Sequence, residues 1–276
     1  GYTVPAENWE DFKKQVLDLS GRTADGTMLT AGVSAGSINN VSFGFDLLSL
    51  LLIQNGTTMT SADGKTILFG ESDQAAEAMK FYSDLGNVGR AWDADQPQDV
   101  RLFAEGKLAF MFAPAWRADA IKKSNVLLDF DVAPVPQLPN LPAGSRVDLA
   151  SYWGFSVSKS TKNSSLAWTF LKFLSEKDGY RALYNKTSQS RYVSQVYPRR
   201  DLASEQSSIP FLQAFIKMAP TARSWKMYDR ERIDSLFRSK INTGIAKGVS
   251  ISLSGASAAI NDIAKEMIKD IPIYTK

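Results

Sequence analysis

The chain contains no histidine and no cysteine in 276 residues. The first absence removes Ser-His-Asp and Cys-His nucleophilic machinery together with the commonest metal ligand, and the second removes thiolate zinc sites and disulfides. Only carboxylate, lysine, tyrosine or hard-metal chemistry is left to an enzyme. A chain without cysteine is compatible with an oxidising compartment and does not require one. Long apolar runs are also lacking: the longest, Leu47 to Ile53, is broken by Ser49 and suits a core helix better than a membrane span. Nor is one sign of charge in excess. With 32 basic and 29 acidic residues spread throughout, the net charge is +3, and no basic tail or stripe marks a nucleic-acid partner. The chain opens on Gly1 rather than a methionine, with no basic-apolar signal segment ahead of it, so the natural start is expected to have been removed.

What is present is an ordinary globular composition, 44% hydrophobic and 22% charged, long enough for two domains or one large one. Pro5 to Asn8 reads as a helix start with Asn8 as cap, acidic Glu10 and Asp11 in the first turn, and Trp9, Phe12, Val16 and Leu19 as its buried stripe. Thr27 to Ser37 reads as strand and loop, and Phe43 to Ile53 as a buried helix closed by Asn55-Gly56. Ala62-Asp63-Gly64-Lys65 predicts a tight turn in a short hairpin. Ser72-Asp73 caps a helix carrying Ala75, Ala76, Met79, Tyr82 and Leu85, and Asp99 opens another ahead of the Glu105-Gly106-Lys107 stop. Leu108 to Phe112 and Phe130 to Val135 read as strands, the latter followed by a proline-rich exit and a Pro/Gly cluster through Gly144. Beyond Val157 the pattern is helical, at Ser164 to Leu174, Asp178 to Tyr184, Ile209 to Met218, Arg230 to Ile245 and Ser254 to Ile271. Strands alternate with helices before Ser158 and nearly vanish after it, so the two stretches are expected to belong to different structural units.

Between those stretches, Ser151-Tyr152-Trp153-Gly154-Phe155-Ser156-Val157-Ser158 predicts an aromatic strand feeding a helix, with Tyr152, Gly154 and Ser156 on one face and Trp153, Phe155 and Val157 on the other. Leu166, Ala167, Phe170, Leu171 and Leu174 then recur at helical spacing and predict one buried face.

Three landmarks in order carry a resemblance: Pro5 through Phe12; Phe103-Ala104-Glu105-Gly106-Lys107-Leu108-Ala109-Phe110-Met111; and Tyr152 through Leu174. Together they resemble the extracellular solute-binding proteins of bacterial ABC importers, in the carbohydrate-binding branch that includes maltose-binding protein. The resemblance spans nearly the whole chain. It implies an α/β fold of the type II periplasmic-binding class, in which two lobes close over a solute that is delivered to the transmembrane subunits of an ABC permease. Residues 1–149 would form an α/β lobe, 150–158 a strand crossing the hinge, and 159–276 a mainly helical part completing the other lobe. The family carries a long further segment ahead of the position matching Gly1, so this chain reads as a piece of a larger protein, or as a shortened relative completed by a second chain. Helices after Ser158 are then expected to expose apolar faces and to self-associate. A periplasmic or extracellular, membrane-associated location is implied, with a lipid anchor left open, and no cofactor is expected.

For neutral sugars the requirement is flat aromatic faces plus planar polar groups for hydroxyls. Trp116, Arg117, Tyr152 and Trp153 are candidates on that ground. Phe43, Phe45 and Asp46, ahead of the Leu47 to Ile53 run, lie where the family presents solute contacts, and Trp225, Tyr228, Arg191 and Tyr192 match rim segments more loosely. Each has a plain reading beside it: burial for the phenylalanines, helix capping for Asp46, solvated surface for the arginines. No catalytic residue or metal ligand is expected. Two alternatives stay open. Carboxylate pairs Asp93/Asp95 and Asp129/Asp131 could serve a glycoside hydrolase, and a charged solute such as a polyamine would need clustered carboxylates with aromatics, which Asp46 and Asp93, far apart in sequence, do not evidently supply.

Overall fold

The computed structural model describes residues 1–142, 144–191, 195–244 and 249–275. Among these, the elements in chain order are α1 (Trp9–Leu19), β1 (Gly21–Arg22), β2 (Met28–Val33), α2 (Gly44–Gln54), α3 (Asp73–Asn87), α4 (Asp99–Ala104), β3 (Leu108–Phe110), α5 (Trp116–Ser124), β4 (Asp148–Leu149), α6 (Ser164–Ser175), α7 (Lys177–Ser188), α8 (Leu212–Met218), β5 (Ala222–Arg223), α9 (Arg230–Gly244) and α10 (Leu253–Asp270). They fall into two compact units, one made of residues 1–113, 135–149 and 221–276 and the other of 114–134 and 150–220.

In the first unit, α1 begins where the Asn8 side chain accepts the Asp11 N–H at 3.0 Å, with Glu10 and Asp11 near the positive end of the helix. Trp9, Phe12 and Val16 face inward, and Phe12 meets Phe110 with ring centroids 4.9 Å apart. The helix lies on β2, the centre of a three-stranded sheet ordered β1-β2-β3, antiparallel to β1 and parallel to β3. Gly32 is what allows that approach, since a Cβ there would sit 2.2 Å from the Val16 carbonyl oxygen. The hairpin around Asp63-Gly64 is present as a single antiparallel bridge, Thr60 to Ile67.

The core of this unit joins both ends of the sequence. Leu47, Leu48, Leu51 and Leu52 of α2 and Ala75, Met79 and Tyr82 of α3 pack in one cluster with Ile233, Leu236 and Phe237 of α9 and Ile260, Ile263 and Met267 of α10. The division into 1–149, 150–158 and 159–276 is therefore corrected in two places: residues 114–134 group with 150–220, and the last two helices belong with the first residues. Periodicity specifies that α9 and α10 bury a face but not which surface receives it.

Two expected strands are absent. Residues 130–136 have no ladder partner, because Pro134 and Pro136 lack the N–H a strand donates, and pairing begins only at Gln137, whose N–H donates to the Glu7 carbonyl at 2.9 Å and whose carbonyl accepts the Trp9 N–H at 3.0 Å. Residues 150–157 are likewise irregular, with Tyr152, Trp153 and Phe155 exposed: strand formation needs a neighbouring edge, and none among the described residues supplies one.

The second unit has a smaller core in which Ala118 of α5 and Leu212 of α8 are buried among Phe130, Tyr184, Ile209 and Phe211. Phe130 and Phe211 stack with centroids 5.0 Å apart. Helix α6 forms where its spacing predicts, but it buries none of its residues: Leu166, Trp168, Phe170 and Phe173 are all at least half exposed. The expectation of a buried face on this helix is thus not met within the unit.

Candidate functional site

The two units carry separate sets of candidate residues. In the first, the position of Trp225 is set by a buried carboxylate. Asp148, 1% exposed, receives two hydrogen bonds from the Arg146 guanidinium at 2.8 and 2.9 Å and one from the Thr221 hydroxyl at 2.6 Å. That network sits beside the parallel pairing of β4 with β5, Asp148 opposite Ala222 and Leu149 opposite Arg223, and so fixes the register of the segment that leads into Trp225. The indole lines a depression of about 350 Å³ whose other wall is the Thr57–Gly64 segment. Gly64 closes its turn at φ +76°, and the Lys226 side chain lies across the space a Cβ would take. Two polar atoms of this lining, Trp225 Nε1 and Thr57 Oγ1, are buried without a hydrogen-bond partner. Orphaned buried polar atoms are uncommon in folded proteins, and these two lie behind the wall of the depression.

The other candidates of this unit are engaged in packing. The Tyr228 N–H donates to the Tyr274 hydroxyl at 3.2 Å, and the two rings meet edge-on at 5.5 Å. Lys226 Nζ rests 4.6 Å from the centroid of the Tyr228 ring. Phe43 is half-buried at the start of α2. Phe45, 1% exposed, lies in the core 5.2 Å from the Phe237 ring and 5.4 Å from the Arg230 guanidinium. Its ring has no face left for a solute, which corrects its candidacy. Asp46 does not cap α2; both its oxygens are reached by Arg230 Nη2, at 2.8 and 2.9 Å.

In the second unit Trp116 opens α5 and is half exposed, with the Arg117 guanidinium 4.5 Å from its ring centroid. This is a flat aromatic surface backed by a cation. Tyr152 and Trp153 are 77% and 98% exposed. Arg191 is exposed, and Tyr192 lies outside the described residues. The structure thus joins Trp116 to Arg117, and Trp225 to Tyr228 through Lys226, and leaves Trp153 standing alone. Sequence reasoning missed Thr57, Met59 and Arg223; the signal for them was the Asp63-Gly64 turn, whose hairpin walls the depression.

The carboxylate pairs do not assemble. Asp93 takes two hydrogen bonds from Arg22, at 2.8 and 2.9 Å, while Asp129 and Asp131 are exposed and Asp131 accepts the Val132 N–H. Among the described residues no cluster of acidic side chains has the makeup of a metal site.

Comparison with known proteins places these surfaces in context. The sequence profile described as bacterial extracellular solute-binding protein matches residues 4–197. A Brucella abortus protein described as a binding protein is 25% identical over 232 residues, 81% of this chain and 52% of its own length. The chain spans about half the length of the curated relatives it matches. In fold it is similar to an ABC-transporter solute-binding protein of Thermotoga lettingae bound to α-D-tagatose, with TM-score 0.64 and 14% identity over 95% of this chain and 65% of that one. It is also similar to the Thermus thermophilus maltotriose-binding protein with maltotriose bound, with TM-score 0.62 and 18% identity over 96% and 67%. A third is Mycobacterium tuberculosis UgpB with glycerophosphocholine, with TM-score 0.58 and 16% identity over 96% and 64%. The fold is that of the type II periplasmic binding proteins, and the matched proteins are binding proteins.

Proposed function

Because the chain belongs to the bacterial extracellular solute-binding proteins, we propose that it is the substrate-binding component of an ABC importer, holding a sugar or short oligosaccharide for the permease subunits outside the cytoplasmic membrane. The observation that carries the sugar reading is Trp116: a half-exposed indole with the Arg117 guanidinium against it offers a stacking face for the apolar side of a sugar ring beside a planar donor for its hydroxyls. Trp153 and Tyr152 supply further exposed aromatic surface in the same unit. Solute capture without chemistry agrees with carboxylates that are tied to arginines or scattered.

A cationic solute such as a polyamine is disfavoured. Asp46 and Asp93, the carboxylates it would need, are each neutralised by an arginine. The exposed apolar side chains of 152–173 also support self-association of this chain.

The test is calorimetry and thermal shift across a sugar panel, with labelled oligosaccharides incubated in parallel. Stoichiometric binding without product is expected. Turnover would overturn the binding reading, and equal affinity in Trp116→Ala and Trp153→Ala would remove both rings from the site.

A further inference from the structure

The depression in front of Trp225 has a chemistry of its own. Its apolar part is Ile53, Met59 and the indole, and its polar part is Thr57, Thr60 and Ser224 with two cations, Arg223 and Lys226; no carboxylate lines it. Other arginines of this unit are matched to aspartates: Arg22 to Asp93, Arg146 to Asp148, Arg230 to Asp46, Arg232 to Asp270 and Arg238 to Asp234. Arg223, exposed on β5, has no such partner among the described residues. Beside the lining stands Asp63, whose carboxylate accepts from the Ser61 hydroxyl at 2.5 Å and the Lys65 N–H at 3.1 Å; these hydrogen bonds, and after them the Lys65 and Lys226 charges, hold it below the usual carboxylate range, so Arg223 is the cation of the lining with no carboxylate near it among the described residues. Lys226 is held at the rim by the Asp63 carbonyl, 3.5 Å from Nζ.

From this lining we infer that the depression binds an acidic sugar, the ring lying on the indole and its anionic group, carboxylate or phosphate, meeting Arg223 and Lys226. The inference rests on the carbohydrate reading above and adds the charge of the ligand and a second place of contact. A guanidinium offers two parallel N–H donors to a carboxylate or phosphate, geometry that a neutral hydroxyl cannot use fully. The volume of about 350 Å³ accommodates one ring and its charged substituent. Because both cations are exposed, the attraction is screened by salt, and affinity falls as ionic strength rises.

The experiment titrates the ¹⁵N-labelled chain, at constant ionic strength, with galactose against galacturonate and glucose against glucose 6-phosphate, following the Trp225 indole cross-peak assigned through Trp225→Phe. Acidic sugars are expected to bind at least about tenfold more tightly than their neutral counterparts, and Arg223→Gln to reduce that preference to about twofold while leaving the rest of the spectrum in place. Galacturonate and glucose 6-phosphate show separately whether carboxylate or phosphate is preferred. Neutral and acidic sugars binding alike would overturn the inference and leave the carbohydrate reading standing. Inorganic phosphate or acetate moving the indole as strongly as the acidic sugars would overturn it too, by showing an anion site that does not recognise the ring. No response to any sugar, at Trp225 or elsewhere, would overturn both.

Discussion

The Trp9 indole N–H donates to the Gln54 side-chain oxygen at 2.7 Å, both groups buried. The Gln54 amide in turn donates to the carbonyls of Pro136 and Val147, at 3.1 and 2.9 Å. One side chain on α2 thereby ties α1 to the 135–149 segment that returns to the first unit. Gln54→Leu keeps the volume and orphans an indole N–H and two carbonyls. A loss of about 2–5 kcal/mol is expected, since each stranded buried polar group costs about 1–3 kcal/mol and some will reach water. Urea midpoints of the two proteins measure it; a loss under 1 kcal/mol would show that the network is not a structural tie.

Tyr82 predicts an alkaline weakness. Its fully buried hydroxyl donates to the Ser37 carbonyl at 2.6 Å, and burial pushes its ionisation far above the usual tyrosine range. The folded state therefore holds this proton more tightly than the unfolded chain. Its contribution is complete below about pH 10 and is lost as pH rises beyond that value. Tyr82→Phe should cost about 1–3 kcal/mol at neutral pH, with the gap to the parent narrowing above about pH 10. Denaturation at pH 7, 9 and 10.5 gives the answer directly.

The face of α6 gives a third expectation. Leu166, Phe170 and Phe173 recur at i, i+4 and i+7 and stand 71%, 58% and 50% exposed. Sedimentation velocity over a concentration series should show association of the chain, and Leu166→Glu with Phe170→Glu should abolish it without moving the thermal midpoint of the first unit. A concentration-independent monomer in the parent would refute this.

At Trp116, replacing the ring by alanine should weaken sugar binding about three- to tenfold, the range of an aromatic contact worth about 0.5–1.5 kcal/mol. Arg117→Lys retains the charge and loses the planar donor, so it should cost less than Trp116→Ala for an uncharged sugar. A larger effect at Arg117 would mean that hydrogen bonding outweighs stacking there.

Local signals in the sequence were read with most success. Asn8, Asp63-Gly64 and Ser72 each act within a few residues, and the cap, the turn and the helix start fall where chemistry puts them. The helices after Ser158 are also where their spacing predicts. What failed depends on distant partners. The aromatic run at 151–158 has ideal strand composition and no strand beside it, and α10 has an apolar face that gives no hint of α3 as its neighbour. Among candidate site residues the same divide holds. Trp116 and Trp153 are exposed, and their part in binding is a matter for the titrations above, whereas Phe45 is claimed by Phe237, a residue far along the chain. Arg223 could not be singled out from 32 basic residues until the structure showed which of them carry no carboxylate.

The way the first unit is threaded also shapes how it folds. The Ile251 N–H is held by the Ser83 hydroxyl 168 residues away, and Thr66 meets Thr275 across 209 residues. Closing such loops is slow, and during synthesis α2 and α3 must wait, leucines uncovered, until α9 and α10 have left the ribosome. Completion of this core is therefore a late step, and until α9 and α10 arrive the leucines of α2 stay open to water and to other chains.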